Sequence, residues 1–75
     1  MSEAAWAFLS AGIGAIGTVF AGAFGISRIA IASVESIARQ PEASEDIRGV
    51  MIITAAMIEG VALLALVICF LLSFK

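Results

Sequence analysis

The chain has no histidine and no tyrosine, a single cysteine, a single proline, and only four basic and six acidic residues among 75. Without histidine, and with Cys69 alone, one chain cannot build a zinc site, a disulfide framework or a Cys–His nucleophile. Cys69 lies in the run Leu66-Val67-Ile68-Cys69-Phe70, where it reads as a small hydrophobe. A net charge of −2 leaves no basic patch, which excludes nucleic acid as a partner. Charged residues make up 13% of the chain, against about 25% in ordinary soluble domains. Hydrophobic residues make up 63%, with a mean hydropathy of +1.18. A soluble domain this small needs a polar exterior, and too few polar residues are available to make one. A soluble enzyme is thereby excluded, and a membrane protein is indicated.

What is present is two long apolar runs. Residues 4–27 carry no charged side chain, and residues 49–74 carry only Glu59. At 1.5 Å per residue each run covers a hydrocarbon core of roughly 30 Å as a helix. Two strands could not close a barrel, and lipid forbids unpaired backbone groups, so both runs are expected to be helical. The N-terminus opens Met1-Ser2-Glu3, acidic where a secretory signal is basic. The apolar stretch behind it exceeds a signal's hydrophobic region, so it is expected to remain in the mature protein. Pro41 disfavours helical geometry at Gln40 and suits the start of a following helix. Glu42, Glu45 and Asp46 then fall where acids complement a helix N-terminus. The expected architecture is an all-α membrane protein, a single two-transmembrane-helix antiparallel hairpin. Its first helix spans about 4–38, its loop 39–42 and its second helix about 43–74. Arg28, Arg39 and Arg48 cluster towards the loop and Glu3 lies at the other end. The loop is therefore expected in the cytoplasm, with both termini on the opposite side.

The first run contains Gly12, Gly14, Gly17, Gly22 and Gly25, five residues that weaken a helix in water. Steps of three and four join Ala11, Gly14, Thr18, Ala21 and Gly25 on one face. Small residues let membrane helices approach closely. One use of such a stripe is contact with the second helix of the same hairpin. The other is a crowded ring of first helices, favoured because Gly12, Gly17, Gly22 and Ala23 extend the small surface round the cylinder. The second run is bulkier, with Ile52, Ile53, Leu63, Leu64, Phe70 and Leu71. A slim inner helix and a bulky outer one make a wedge, and wedges side by side close into a ring of many copies.

Glu59 is the residue that carries chemistry. It lies eleven positions after Arg48, about 16 Å along the helix and close to mid-bilayer. An ionised acidic side chain there costs about 3 kcal/mol on insertion scales, so the neutral acid is the form suited to lipid. The ionised form needs a positive partner. Arg28 is the basic residue nearest in depth, but it is expected a turn or two nearer the cytoplasm, its charge snorkelling to the headgroups. A group that alternates between two such states can carry a proton.

A glycine-rich first helix, Arg39-Gln40-Pro41 in the loop, and a lone Glu59 eighteen residues after that proline coincide in a chain of this size. With the string Glu35-Ser36-Ile37-Ala38-Arg39-Gln40-Pro41-Glu42-Ala43, the sequence resembles the c subunit, or proteolipid, of bacterial rotary F-type ATP synthases over nearly its whole length. The alternating glycines of that family are only partly present, with Val19, Ala21, Ala23, Gly25 and Ser27 in those places. The resemblance implies a subunit that does no catalysis alone. It implies a ring of identical copies, with Gly14, Thr18, Ala21, Gly22 and Gly25 in its packing, turning in the bacterial inner membrane among lipids. The acid matching Glu59 would take a proton from one half-channel of the stator a subunit and release it to the other. The loop residues matching Arg39, Gln40 and Pro41 would contact the central stalk subunits gamma and epsilon. No cofactor or resident metal is implied.

The transported ion is expected to be H⁺. A sodium ion in a dry site needs several oxygen ligands. In sodium-binding relatives these come from a first-helix glutamine, a hydroxyl residue after the acid, and a tyrosine site; aligned through Pro41, the corresponding residues are Ile26, Gly60 with Val61, and Leu64. Thr54 and Ser27 fall off the required positions. The expected surroundings of Glu59 are Ala23, Ile26, Met57, Gly60 and Leu64. The alternative function is a small holin-like or structural membrane hairpin, which leaves a single deep acid unexplained. A multidrug exporter subunit needs more spans and an aromatic pocket.

Overall fold

A computed structural model describes residues 2–75. Helix α1 spans Glu3–Arg39, a single 3-10 turn spans Pro41–Ala43, and helix α2 spans Ser44–Leu72. Ser2 caps α1, its side chain accepting a hydrogen bond from the Ala5 N–H at 3.1 Å. Glu3 in the first turn and Arg39 in the last complement the helix dipole.

The expected loop of four residues contracts to little more than Gln40. Pro41 restricts the residue immediately before it, and Gln40 leaves helical geometry, at φ −134° and ψ 71°. Its N–H still donates to Ser36 O at 2.8 Å, so Arg39 stays inside α1. The Ala43 N–H donates to Gln40 O at 3.0 Å and closes the turn, with Pro41 in the first position. At the far end α2 stops at Leu72, two residues short of the expected limit, where the Ser73 hydroxyl bonds Phe70 O.

The two helices lie antiparallel in a rod 58 Å long and 15 by 7 Å across. Both are long and apolar enough to cross a membrane. The 37 residues of α1 run about 55 Å, so the hairpin extends well beyond a roughly 30 Å hydrocarbon layer. Three glycines define the register. A methyl group added to Gly14 would lie 2.8 Å from Cys69 Sγ, one on Gly22 3.7 Å from Ala62 Cβ, and one on Gly25 3.3 Å from Ile58 Cδ1. In each pair the residue numbers sum to 83 or 84, a straight antiparallel alignment. The small-residue stripe thus meets α2 of the same hairpin through Gly14, Gly22 and Gly25. Gly22 takes the place in the contact expected for Ala21, which is exposed. Gly12 and Gly17 would meet nothing within 4 Å.

Only Ala11 and Gly22 are buried in α1, and no residue is buried in α2. Ile16, Phe20 and Val61 are each more than 70% exposed. Two helices cannot enclose a core, so the apolar surface of this hairpin is made for lipid or for further helices.

Candidate functional site

Glu59 lies on α2 one residue beyond Ile58, whose side chain touches Gly25. The register therefore puts it level with Phe24 and Gly25 on α1. The acid projects to one flank of the hairpin, where α1 and α2 form a shallow groove. Ala23, Ile26 and Ser27 line it from α1, and Glu59, Leu63 and Leu66 from α2, over a floor that includes Gly22 and Thr18. Gly22, buried at this level, packs against Ala62 of α2 beneath the groove.

No basic side chain lines this groove. Its polar side chains are Glu59, Ser27 and Thr18. The Thr18 hydroxyl donates to Gly14 O at 2.7 Å, so its proton is already committed within α1. Thr54 likewise donates to Val50 O at 2.8 Å and lines a different groove nearer the loop. Glu59 is exposed on this flank, and in a membrane, lipid against that flank would make an ionised acid costly.

Of the expected surroundings, the groove brings Ala23 and Ile26 to Glu59. Met57, Gly60 and Leu64 lie outside it. At 100° per residue, Met57 leaves α2 roughly 200° from Glu59 and lines the groove on the opposite flank, with Ala21 and Gly25. Leu63 and Leu66, four and seven residues after Glu59, share its face instead. That spacing is readable in the sequence. Ser27 joins the groove although alignment through Pro41 put it one step away.

Arg28 departs from its expected snorkelling. Its guanidinium carbon lies 5.5 Å from the centroid of the Phe24 ring, one turn towards the N-terminus and away from the loop. Side chains on a helix lean towards its N-terminus, and a guanidinium over an aromatic face is attracted by the ring. The guanidinium therefore lies farther from the loop than the Arg28 backbone does. At the hairpin tip Arg39, Gln40 and Pro41 are all exposed, and Arg39 and Gln40 line a small recess with Ser36 and Ile47.

The sequence matches the family model of the ATP synthase c subunit over residues 6–72. It is 58% identical over 66 residues to the ATP synthase c subunit of Bacteroides thetaiotaomicron, covering 88% of this chain and 78% of that protein. It is 50% identical over 66 residues to the ATP synthase c subunit of Phocaeicola vulgatus, covering 88% and 79%. With the ATP synthase c subunit of Latilactobacillus sakei it shares 40% identity over 68 residues, covering 91% and 97%. No solved structure gives a significant match.

Proposed function

The chain belongs to the ATP synthase c-subunit family, and on that premise we propose that Glu59 carries the coupling proton. Members of the family are membrane rotor subunits with an ion-translocating role and are not enzymes on their own. The relatives are bacterial, and the two apolar helices suit a bacterial membrane. The observation that carries the proposal is the lone acid Glu59, level with Phe24 and Gly25, in a groove without a basic side chain.

Protonated, Glu59 is neutral and passes through lipid with the turning ring. Ionised, it requires a positive partner, supplied by the stator a subunit. The membrane potential contributes about 2.3 kcal/mol per charge per 100 mV to this cycle. Identical hairpins form the ring, α1 inside and bulkier α2 outside, with Gly14, Thr18, Ala21, Gly22 and Gly25 thinning the inner layer. The loop faces the cytoplasm, and exposed Arg39, Gln40 and Pro41 meet the gamma and epsilon subunits. Proton pumping by the assembled complex in membrane vesicles tests the role of the acid. Glu59→Gln should abolish pumping while the ring still assembles; pumping at the wild-type rate by Glu59→Gln would refute it.

A further inference from the structure

Near the start of α2 two opposite charges, Asp46 and Arg48, stand two residues apart, and so roughly 200° apart on the helix surface. Arg48 precedes Glu59 by eleven residues, three turns that return it to within about 20° of the acid's face. It therefore projects from the flank that carries Glu59. Asp46 lines a groove of the opposite flank, with Ala32 and Ser36 of α1 and Val50 of α2. Ala32 follows Ala21 and Val50 precedes Val61, each by eleven residues, so this groove continues the one that holds Ala21 and Val61. Asp46 is the only charged side chain among the residues that line it.

Both side chains are exposed. Within a turn of α2, no basic residue lies three or four positions from Asp46. Arg39, at the end of α1, lines a separate recess at the tip with Gln40. For Arg48 the one acid at such a spacing is Glu45, three residues earlier. Glu35 lies on the other flank, in the recess beside Arg28. The depths of Asp46 and Arg48 agree because both stand on one helix. Both side chains lean towards the N-terminus of α2, and so towards the loop. Arg48 starts about 3 Å farther from the loop, a difference that its longer stem makes up.

We propose that in the ring the groove beside Asp46 receives Arg48 of the adjacent copy, so that a belt of Arg48–Asp46 pairs closes round the loop end of the outer helices. Head-to-tail cyclic packing sets the Glu59 flank of one hairpin against the opposite flank of the next at every contact. The arginine stem lies along apolar Ala32 and Val50, and its planar fork meets the carboxylate. The belt is three turns of α2 away from Glu59, about 16 Å, and leaves that acid free to gain and lose its proton. It also keeps the exposed Arg39-Gln40-Pro41 tips evenly spaced. The pairing rests on the ring proposed above.

The test is charge reversal, read as the detergent concentration at which the extracted ring falls to single hairpins on a native gel. Asp46→Arg and Arg48→Asp should each dissociate at lower detergent than wild type, and the chain carrying both should recover most of the loss. No recovery would overturn the pairing, and is the outcome if Arg48 meets only Glu45 of its own helix or a lipid phosphate. Unchanged dissociation in both single variants would also overturn it. If a reversed variant does not assemble, cross-linking in native membranes decides, in a Cys69→Ala background. Asp46→Cys combined with Arg48→Cys, bridged by a flexible bismaleimide, should give a ladder of multimers on a denaturing gel, and either cysteine alone should give none. A ladder from a single cysteine, or no ladder in an assembly whose native mass is that of a ring, would overturn the proposal and leave the ring intact. A native mass of one hairpin for the wild-type protein would overturn both.

Discussion

Gly14 and Cys69 approach so closely across the hairpin that a methyl group on Gly14 would lie 2.8 Å from the cysteine sulfur. The obstructing atom is a side-chain sulfur, so either Cys69 changes rotamer or the helices part locally. Gly14→Ala should therefore destabilise the hairpin by about 1–3 kcal/mol, the usual cost of overpacking. Cys69→Ala removes the obstructing sulfur, so the double variant should recover most of the loss. Denaturation in detergent checks both. By contrast Gly22→Ala meets Ala62 Cβ at 3.7 Å, an ordinary contact, and should be tolerated within the hairpin.

The outward small residues should behave in the opposite way. Gly17 would meet nothing within 4 Å on acquiring a side chain, and Ala21 is exposed. Gly17→Leu and Ala21→Leu should leave the helicity of an isolated hairpin unchanged and diminish the yield of rings. Circular dichroism alongside native mass measurement separates the two effects. Full ring yield from both variants would remove these positions from the contact between copies.

Gln40 is exposed at the tip, with its side chain outside any helix. In sealed vesicles, a cysteine introduced by Gln40→Cys should react with an impermeant maleimide from the cytoplasmic side alone. Attachment of the catalytic head should shield it. Reaction from the opposite side would reverse the proposed orientation.

The spans are legible in the sequence because length and charge decide them. An uncharged stretch at residues 4–27 and a single acid within residues 49–74 leave a membrane helix as the economical solution. The hairpin turn is legible from Pro41, but the turn is narrower than the sequence suggests, because proline acts on Gln40 and the Gln40 N–H keeps Arg39 in the helix. The acid itself is legible from composition. Its neighbours are less so, since proximity in sequence suggests Met57 and Gly60, whereas helical rotation selects Leu63 and Leu66. The direction of Arg28 is not legible. Snorkelling and packing on Phe24 compete, and only the side-chain geometry distinguishes them.

Sodium should not compete for the site. Besides Glu59 the groove offers only the Ser27 and Thr18 hydroxyl oxygens, and Ala23, Ile26, Leu63 and Leu66 offer no side-chain oxygen. A hard cation would have too few ligands in this groove. Millimolar sodium at fixed pH should leave the rate of carbodiimide modification of Glu59 unchanged. Strong protection would identify sodium as a ligand.

Glu59 alone is proposed to carry the transported proton. The most direct test treats membranes with a hydrophobic carbodiimide, maps the modified residue by mass spectrometry and follows proton pumping in the same sample. Protonated carboxyl groups react, so Glu59 should be modified faster at lower pH, and pumping should fall in step with its modification. Loss of pumping with label on Glu42, Glu45 or Asp46 and none on Glu59 would contradict the account.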